Sequence, residues 1–403
     1  MKTLLFVGGG HHQRRGILRA KELGHRVVAV DAREDAPGML AADVAEPVDF
    51  RDVDSVIEVA RRHGVEGAMT VSADRAVPVV AAVAETLGLP GIGTDVARAM
   101  TNKLVMRRLF AEHDVPQPRF APVDSRNGAP RAAAETVGFP AVLKPANSGG
   151  QRGLYRLESA EDLDERLPAA LAESPTGEAI LEEFADGLEL NGIAIVRDGE
   201  VTLVSFSERL RPPGRGFGVG WIHVYPTSLE EDALAEAERV ASRSVSALGL
   251  ENGIAFPQLL AEPSGEVLAV EVAARIPGGQ MADVVREGTG VDLLDVAILQ
   301  AFGEPVPDAL VTPSRSQPLA VRFLTAEPGP LPAGTVKRIS GLERVLACPG
   351  VRQAEVYFTV GEEIRPVQVD ADRRGYVLAI GETNLEALER AEAAARLFEV
   401  EVE

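Results

Sequence analysis

The sequence predicts an α/β protein made of several lobes, and three observations support this class. A strand, a glycine turn, a helix and a second strand follow one another from Leu4 to Asp31. Two aliphatic runs, Ile254 to Leu260 and Val267 to Val272, flank turn-forming residues and predict a β-hairpin. Strand and helix patterns alternate again from Leu319 to Glu403. We therefore expect a doubly wound layer first, a hairpin in the centre and a further α/β lobe last.

Composition limits the classes of partner. The chain has 403 residues, 45% hydrophobic and 25% charged, enough for two or three domains. Its 61 acidic and 41 basic residues give a net charge of -20, which argues against nucleic acid or an anionic membrane as a partner. Cys348 is the only cysteine, so an intrachain disulfide is impossible and a reducing compartment fits. No stretch has the length of a membrane span, and we expect a cytoplasmic protein.

The N-terminal segment raises an alternative function. Strand Leu4 to Val7 leads into Gly8-Gly9-Gly10 and a helix, and Asp31 ends the next strand at about the distance of a ribose-binding acid. An NAD-dependent oxidoreductase is therefore one hypothesis. Against it, position 13, where the dinucleotide fingerprint needs glycine, is Gln13. The helix begins at His11 and His12, which suit either an anionic ligand or solvent, and we expect at least one of them to be solvated.

A glycine loop follows a lysine in the centre of the chain. Strand Ala141 to Leu143 ends at Lys144 and enters a loop that contains Ser148, Gly149 and Gly150. Glycines let the backbone approach a ligand closely, and their N–H groups can surround phosphates. The lysine precedes the glycines, unlike that of a P-loop. A flexible surface hairpin with a chance lysine is the alternative. Upstream, Lys103 starts a helix that we expect to be capped at Thr101 or Asn102.

The hairpin ends in charged residues and glycines. Glu271 lies near the end of an aliphatic strand, where a carboxylate is costly to bury without a cation. Arg275 lies four residues later and precedes Pro277, Gly278 and Gly279, which resemble an anion-binding turn. A cation site beside an anion site indicates phosphate chemistry. In the alternative, Glu271 faces water and Arg275 only pairs with it.

Two further segments carry clustered charge. A short strand, Ile180 to Phe184, ends in the acids Glu182 and Glu183, and Glu189 begins another. Residues Arg209 to Gly220 hold four glycines, two prolines and three arginines. In an acidic protein this mobile basic loop favours an anionic ligand, although solvated arginines are the commoner outcome.

In their order and spacing, these motifs resemble the ATP-grasp superfamily over the whole chain, and Gly341-Leu-Glu with Pro349-Gly-Val resembles the C-terminal lobe of the L-amino-acid ligases. The resemblance implies an ATP-grasp fold whose first domain is Rossmann-like without binding a dinucleotide. The implied division is a pre-ATP-grasp domain at 1–93, an N-lobe at 94–180, a C-lobe with the metal and substrate site at 181–310, and a C-terminal α/β lobe at 311–403.

The resemblance also implies an ATP site. Lysines would contact the phosphates, the glycine loop would close over them, and an acidic strand end would hold adenine and ribose. The implied residues are Lys103 and Lys144 for the phosphates, Ser148, Gly149 and Gly150 for the loop, Glu182 and the Phe184 backbone for adenine, and Glu189 for the ribose hydroxyls.

A metal and substrate site is implied next to it. Glu271 would bind Mg²⁺ together with the phosphates, and Arg275 with Gly278 and Gly279 would bind the substrate carboxylate or its acyl phosphate. This chain has Gln258 and Ala273 where family members carry an acid and often an asparagine. Because an amide oxygen is a poorer magnesium ligand, we expect Gln258 to contribute little. The metal would then be bound by Glu271, the phosphates and water, or else by a nearby acid such as Glu262.

The implied activity is that of an ATP-dependent carboxylate-amine ligase that works through an acyl phosphate and releases ADP and phosphate. The expected partners are a small carboxylate and an amine, by preference amino acids, with neither nucleic acid nor membrane; a homodimer is compatible with this. The catalytic residues would be Arg275, Glu271 and Lys144. A purine-pathway ligase or a biotin-carboxylase type enzyme is the alternative within the family. A nucleotide sensor without activity and the NAD-dependent oxidoreductase are the alternatives from other classes.

Overall fold

The computed structural model describes residues 1–124, 129–211 and 218–403. Its first unit is a parallel sheet with strand order β3-β2-β1-β4 and helices on its faces. The elements are β1 Thr3–Val7, α1 His11–Glu22, β2 Arg26–Val30, α2 Pro37–Ala41, β3 Val44–Glu46, α3 Val53–His63, β4 Gly67–Met69, a 3₁₀ turn Asp74–Ala76 and α4 Val77–Leu87. Gly64 and Gly88 end α3 and α4 in the left-handed conformation. The expected doubly wound layer is confirmed.

The glycine turn of this unit is filled by the protein itself. The Gly9 N–H donates to the Asp31 carboxylate over 2.8 Å. The side chain of Met39 in α2 lies so close to Gly9 that a Cβ there would collide with it. Gln13 is buried and donates to the backbone oxygen of Val71. These contacts occupy the turn and its acid, which argues against a dinucleotide at this position.

The second unit is a four-stranded antiparallel sheet with order β5-β8-β6-β7. Its Asn102 side chain caps α6 by accepting the N–H groups of Leu104 and Val105 over 3.0 and 3.1 Å, which decides between the two expected caps. The elements are α5 Thr94–Ala99, α6 Lys103–Glu112, β5 Phe120–Val123, α7 Ala129–Val137, β6 Ala141–Pro145, β7 Tyr155–Leu157, α8 Ala160–Ala172 and β8 Ala179–Glu183.

The third unit contains the predicted hairpin. Its elements are β9 Leu188–Arg197, β10 Glu200–Leu210, β11 Ile222–Tyr225, α9 Glu231–Ala247, β12 Gly253–Ala261, β13 Val267–Ala273, α10 Met281–Thr289 and α11 Leu293–Ala301. The pairing of β12 with β13 confirms the hairpin. In the sequence, the apolar spacing from Asp283 to Phe302 predicts one helical region. The structure has two helices there, because Gly290, at φ +88°, ends the first of them.

The last unit adds strands to two sheets. Its elements are a 3₁₀ turn Asp308–Leu310, β14 Leu319–Phe323, β15 Gly334–Ser340, α12 Leu342–Leu346, β16 Val351–Val356, β17 Glu363–Ile364, a 3₁₀ turn Asp370–Asp372, β18 Gly375–Ile380, α13 Asn384–Ala395 and β19 Glu399–Val402. Strands β17, β15 and β19 form a small sheet of their own. The sequence pattern predicts strands at Ala320 to Leu324, Ala354 to Val360 and Tyr376 to Ile380, which overlap β14, β16 and β18, but it does not predict β15, β17 or β19.

The largest sheet joins the third and last units. Its order is β13-β12-β9-β10-β11-β14-β18-β16, and its pairings are antiparallel. The sheet therefore runs across position 310, where we expected a domain boundary, and the division into four lobes stays a prediction. Among the described residues, no helix combines the length and apolar character needed to cross a bilayer.

Candidate active-site cleft

The residues expected to bind ATP, metal and substrate line one cavity of about 430 Å³, called the cleft below. It is bordered by the second unit, the hairpin, the N-terminal unit and the turn that begins at Asp370. The predicted residues that it brings together are Lys103, Lys144, Ser148, Gly149, Gly150, Glu182, Phe184, Glu189, Gln258, Glu271, Arg275, Gly278 and Gly279. The convergence of positions so distant in sequence argues against a chance lysine beside a surface loop.

Glu182 holds two cations at one end of the cleft. Its Oε2 lies 2.6 Å from Lys144 Nζ, and its Oε1 accepts from Arg107 Nε over 2.8 Å. The carboxyl group is only 2% exposed, and although burial raises its pKa, the charges of Arg107 and Lys144 lower it to about 2. Each oxygen of Glu182 already has one cationic partner, so the carboxylate positions Lys144 and Arg107, and its expected contact with adenine stays a prediction.

Sequence analysis missed Arg107. It is 1% exposed, and besides Glu182 it donates to the backbone oxygens of Ala269 and Val270 over 2.8 Å each. It thereby ties α6 to β13 beneath the cleft. In the sequence it is one of two adjacent arginines in an amphipathic helix, and no local signal distinguishes the buried one.

The Phe184 N–H, expected near adenine, is already hydrogen-bonded within the protein, whereas Glu189, expected at the ribose, keeps one oxygen without a hydrogen bond among the described residues. The Phe184 N–H donates to the Pro140 oxygen over 3.1 Å, so this N–H is not the one that would bind adenine. Glu189 pairs with Arg211 over 2.7 Å through Oε1. Its Oε2 is buried and has no hydrogen-bond partner in the described ranges, which suits a ribose hydroxyl donor.

Lys103 joins the glycine loop to the hairpin. Its Nζ donates to the Ser148 backbone oxygen over 2.9 Å and lies 3.1 Å from Glu271 Oε1. The Ser148 hydroxyl is buried and unpaired among the described residues. Gly150 has φ +69°, and its oxygen accepts from the Asp370 N–H over 3.2 Å, so the loop is held over the cleft from the far side.

Three polar side chains form a row across neighbouring strands. In the sheet register Asn191 of β9 faces Gln258 of β12, which faces Glu271 of β13, and all three line the cleft. Asn191 is 2% exposed, and its Nδ2 has no partner in the part of the chain that the structure describes. Asn191 was missed because its position beside Gln258 depends on strand register. The row places amide and carboxylate oxygens side by side.

Glu262 does not belong to this row, contrary to our expectation. It lies in the turn at the opposite end of the hairpin, where its N–H donates to the Glu266 oxygen over 2.8 Å and its carboxylate accepts from Ser264. No cluster of three or more His, Cys, Asp or Glu within the described ranges could hold a metal alone. A magnesium ion here would share Glu271 with phosphate oxygens, as Mg²⁺ commonly does in proteins.

Arg275 is held by an acid that the sequence analysis missed. Its Nε and Nη2 donate to the two oxygens of Asp74 over 2.6 and 2.8 Å. Burial opposes charge on both partners, but their mutual attraction raises the pKa of Arg275 and lowers that of Asp74. Arg275 Nη1 is buried without a hydrogen-bond partner among the described residues, so one donor remains for a ligand.

The N-terminal unit also holds the glycine turn after Arg275. Ser72 donates its N–H to the Ile276 oxygen over 2.9 Å. A Cβ on Gly278 would collide with the Ser72 hydroxyl, and Gly279, at φ +66°, lies against His223. Both glycines are therefore required by close approach and backbone conformation. His12 lines the cleft nearby, and burial, followed by the charge of Arg373, lowers its pKa to about 4. His11 is exposed, which confirms that one of the two histidines is solvated.

The basic loop lies partly outside the described residues, since the structure does not describe 212–217. Arg209 belongs to β10, donates to the Gly218 oxygen over 2.6 Å and lies 3.5 Å from Asp370. Arg373 lies 3.0 Å from the same carboxylate. Asp370, Arg373 and His223 were missed because they come from separate elements that meet only in the fold.

Family models match most of the chain. The model described as "Carbamoyl-phosphate synthase L chain, ATP binding domain" matches residues 102–309, more than half of the sequence. "ATP-grasp N-terminal domain" matches 18–91, and "L-amino acid ligase C-terminal domain 2" matches 322–403. The chain belongs to the ATP-grasp family of ATP-dependent carboxylate-amine ligases. Enzymes of this family use ATP with Mg²⁺.

Similar proteins cover the full length. The L-amino acid ligase from Bacillus licheniformis has a TM-score of 0.85 at 23% identity, covering 100% of this chain and 99% of that one. The N5-carboxyaminoimidazole ribonucleotide synthetase from Thermotoga maritima has a TM-score of 0.77 at 21% identity, with 100% of both chains covered. A formate-dependent phosphoribosylglycinamide formyltransferase from Synechococcus sp. is 28% identical over 99% of this chain and 98% of its own length.

Proposed function

We propose that this enzyme is an amino-acid ligase. The γ-phosphoryl group of ATP passes to the carboxylate of one amino acid, and the amine of a second replaces the phosphate to give a dipeptide, ADP and phosphate. One observation carries the proposal: Lys103 and Glu271, from different units, lie 3.1 Å apart between the glycine loop and Arg275. A phosphate-binding cation, a metal-binding acid and a carboxylate-binding arginine are thus adjacent, as direct phosphoryl transfer requires.

The nucleotide end of the cleft supports this assignment. Lys103 and Lys144 contact the phosphates, Ser148, Gly149 and Gly150 cover them, and Glu189 accepts from the ribose. Adenine lies along the strand end of Glu182 and Phe184, where Glu182 acts by positioning Lys144. The Ser148 hydroxyl and Glu189 Oε2 are buried polar atoms without hydrogen-bond partners in the described chain, although Arg209 lies 3.7 Å from that Oε2. A hydrogen-bonding ligand would satisfy both atoms.

The metal would be held by Glu271 and by oxygens of the bound phosphates, with the amide oxygens of Gln258 and Asn191 beside it. When bound, Mg²⁺ neutralises charge on the transferring phosphoryl group. The row of one carboxylate and two amides fits an ion that keeps several waters and shares phosphate ligands. Gln258 therefore belongs to this row, and Glu271 is the one carboxylate among the row's three residues.

The end of the cleft around Arg275, where the substrate acid would bind and which is called the acid end below, favours an amino acid. Arg275 Nη1 offers a donor to a carboxylate or acyl phosphate, with Gly278 and Gly279 beside it. Asp370 Oδ1 lies near Arg373 and Arg209 but forms no hydrogen bond with any described residue. It can therefore accept a hydrogen bond from an ammonium group. A donor for carboxylate and an acceptor for ammonium in one cleft suit a zwitterion. The match of residues 322–403 to an L-amino acid ligase domain supports the same class.

A purine-pathway ligase is the second candidate. Relatives named formate-dependent phosphoribosylglycinamide formyltransferase match 99% of this chain, and their name implies formate as the acid and a ribonucleotide amine. Such a substrate would carry its own phosphate into the cleft, where Arg209 and Arg373 provide cations.

A substrate screen distinguishes the two candidates. The purified chain would be incubated with ATP, Mg²⁺ and pairs of the proteinogenic L-amino acids, and separately with formate and phosphoribosylglycinamide. Phosphate release and mass spectrometry of the product would be measured. We expect a dipeptide from at least one amino-acid pair. A formylated ribonucleotide without any dipeptide would establish the second candidate instead, and bicarbonate-dependent ADP release without an amine would indicate a carboxylase.

A further inference from the structure

His223 occupies the acid end of the cleft. It lies on β11 and is 4% exposed. Its ring packs edge-on against Phe323 with centroids 5.2 Å apart, and a Cβ built on Gly279 would lie 3.2 Å from its Cε1. The imidazole is therefore placed over the glycine turn that follows Arg275, close to where the proposed acyl phosphate forms.

The two ring nitrogens have different surroundings. Nδ1 lies 3.0 Å from Met281 Sδ, and a thioether sulfur can only accept a hydrogen bond. The contact therefore assigns the proton to Nδ1 and leaves the lone pair on Nε2. Nε2 is buried and has no hydrogen-bond partner within 1–124, 129–211 and 218–403. A buried acceptor without a donor is costly, which points to a donor on a ligand.

The charges around the ring keep it neutral. Arg209 comes from β10 and Arg373 from the last unit, with Asp370 between them. Met281 and Phe323, which pack against the ring, are uncharged. Burial lowers the pKa of His223 well below its usual value, and the charges of Arg373 and Arg209 lower it further. The ring is thus an unprotonated acceptor at neutral pH.

We infer that His223 is the catalytic residue that accepts a proton from the attacking amine, an inference that rests on the proposed ligase function. The neutral amine attacks the acyl carbon, and a C–N bond forms. The nitrogen, now positively charged, gives one proton to His223 Nε2. The C–O bond to phosphate then breaks, and its electron pair leaves on phosphate. Because burial and the charges of Arg373 and Arg209 disfavour an imidazolium, the proton passes on at once to the departing phosphate, which is the stronger base.

The His223→Gln variant tests this assignment, because glutamine keeps a polar group of similar length but accepts no proton. Formation of the acyl phosphate is followed by positional isotope exchange in ATP with one proteinogenic L-amino acid and no second substrate. Amide formation is followed with two L-amino acids and, separately, with hydroxylamine, whose nitrogen is a stronger acid than that of an amino acid once it carries a positive charge and therefore depends less on a base. We expect unchanged isotope exchange, a loss of dipeptide formation of about 100-fold and a smaller loss of hydroxamate formation.

His25→Gln is the matched control. His25 packs against Phe302, with ring centroids 4.7 Å apart, in the N-terminal unit and does not line the cleft. It should retain both reactions. Dipeptide formation by His223→Gln within about threefold of wild type would overturn the inference but leave the ligase function standing. Equal losses of isotope exchange and amide formation would indicate a structural role for His223 and would also overturn the inference. If wild type forms no amide from any amino-acid pair, the proposed function itself fails.

Discussion

Asp74 and Arg275 are 201 residues apart in the sequence and are joined by two parallel hydrogen bonds of 2.6 and 2.8 Å. The pair connects the 3₁₀ turn of the N-terminal unit with the loop after the hairpin. A bidentate contact fixes the plane of the guanidinium, and Nη1 is the donor that remains for a ligand within the described structure. The N-terminal unit therefore positions a residue of the proposed substrate site.

Asp74→Asn should lower turnover more than ATP affinity, because it removes the charge that orients Arg275. We expect kcat/KM for the acid to fall by about 100-fold, as a misplaced reacting group commonly costs. ATP binding, measured by calorimetry, should stay within about threefold of wild type. The control is Asp308→Asn, since Asp308 pairs with Arg197 over 2.6 Å on the surface. A variant that lost only ATP affinity would contradict the assignment of Arg275 to the acid.

Lys144→Met should weaken ATP binding in a folded protein. The substitution removes a charge aimed at phosphate and keeps most of the side-chain volume, while Glu182 retains Arg107 as a partner. A hydrogen bond to a charged group contributes roughly 1.5 to 3 kcal/mol, so we expect a loss of about tenfold or more in ATP affinity. Lys337→Met, at a surface lysine paired with Glu403, is the control. Unchanged nucleotide binding in Lys144→Met would show that the glycine loop has no role in it.

Glu182→Gln should destabilise the protein at neutral pH. The change leaves Arg107 and Lys144 buried without their carboxylate, a loss of roughly 3 kcal/mol in comparable buried pairs. In the folded protein the pKa of Glu182 is lowered from 4.5 to about 2. The carboxylate therefore contributes its full stabilisation above pH 4.5 and progressively less as the pH falls toward 2. Chemical unfolding of both proteins between pH 7 and pH 3 should show the difference in unfolding free energy narrowing with acid. A constant difference would contradict the ionised state of Glu182.

Much of the fold could be predicted because its signals are local. The hairpin, the caps at Gly64 and Gly88 and the Asn102 cap depend on neighbouring residues. What failed depends on contacts distant in sequence. Strand β15, for example, pairs with β19, which lies more than fifty residues later. The break at Gly290 is an exception, because the polar and glycine-rich run from Arg286 to Asp292 is a local signal for it.

The candidate site divides in the same way. Residues in recognisable motifs, such as Lys144 and Glu271, were found from the sequence. Their partners were not, because Arg107 and Asp74 acquire their roles only through contacts made across units. For Glu182 the sequence indicated the residue but not its ion pairs with Arg107 and Lys144, since a motif does not tell which neighbours a carboxylate will contact.

Hydroxylamine trapping distinguishes direct phosphoryl transfer to a carboxylate from activation through a covalent enzyme intermediate or through adenylation. Ser72 and Ser148 are the described serines that line the cleft, and neither hydroxyl is hydrogen-bonded to a base, so no activated side-chain nucleophile is at hand among the described residues. With ATP, Mg²⁺, an accepted L-amino acid and hydroxylamine, we predict a hydroxamate together with ADP and phosphate in equal amounts. Glu271→Gln should abolish that product by removing the carboxylate proposed for the metal. Release of AMP and pyrophosphate instead would mean adenylation and would rule out direct phosphoryl transfer.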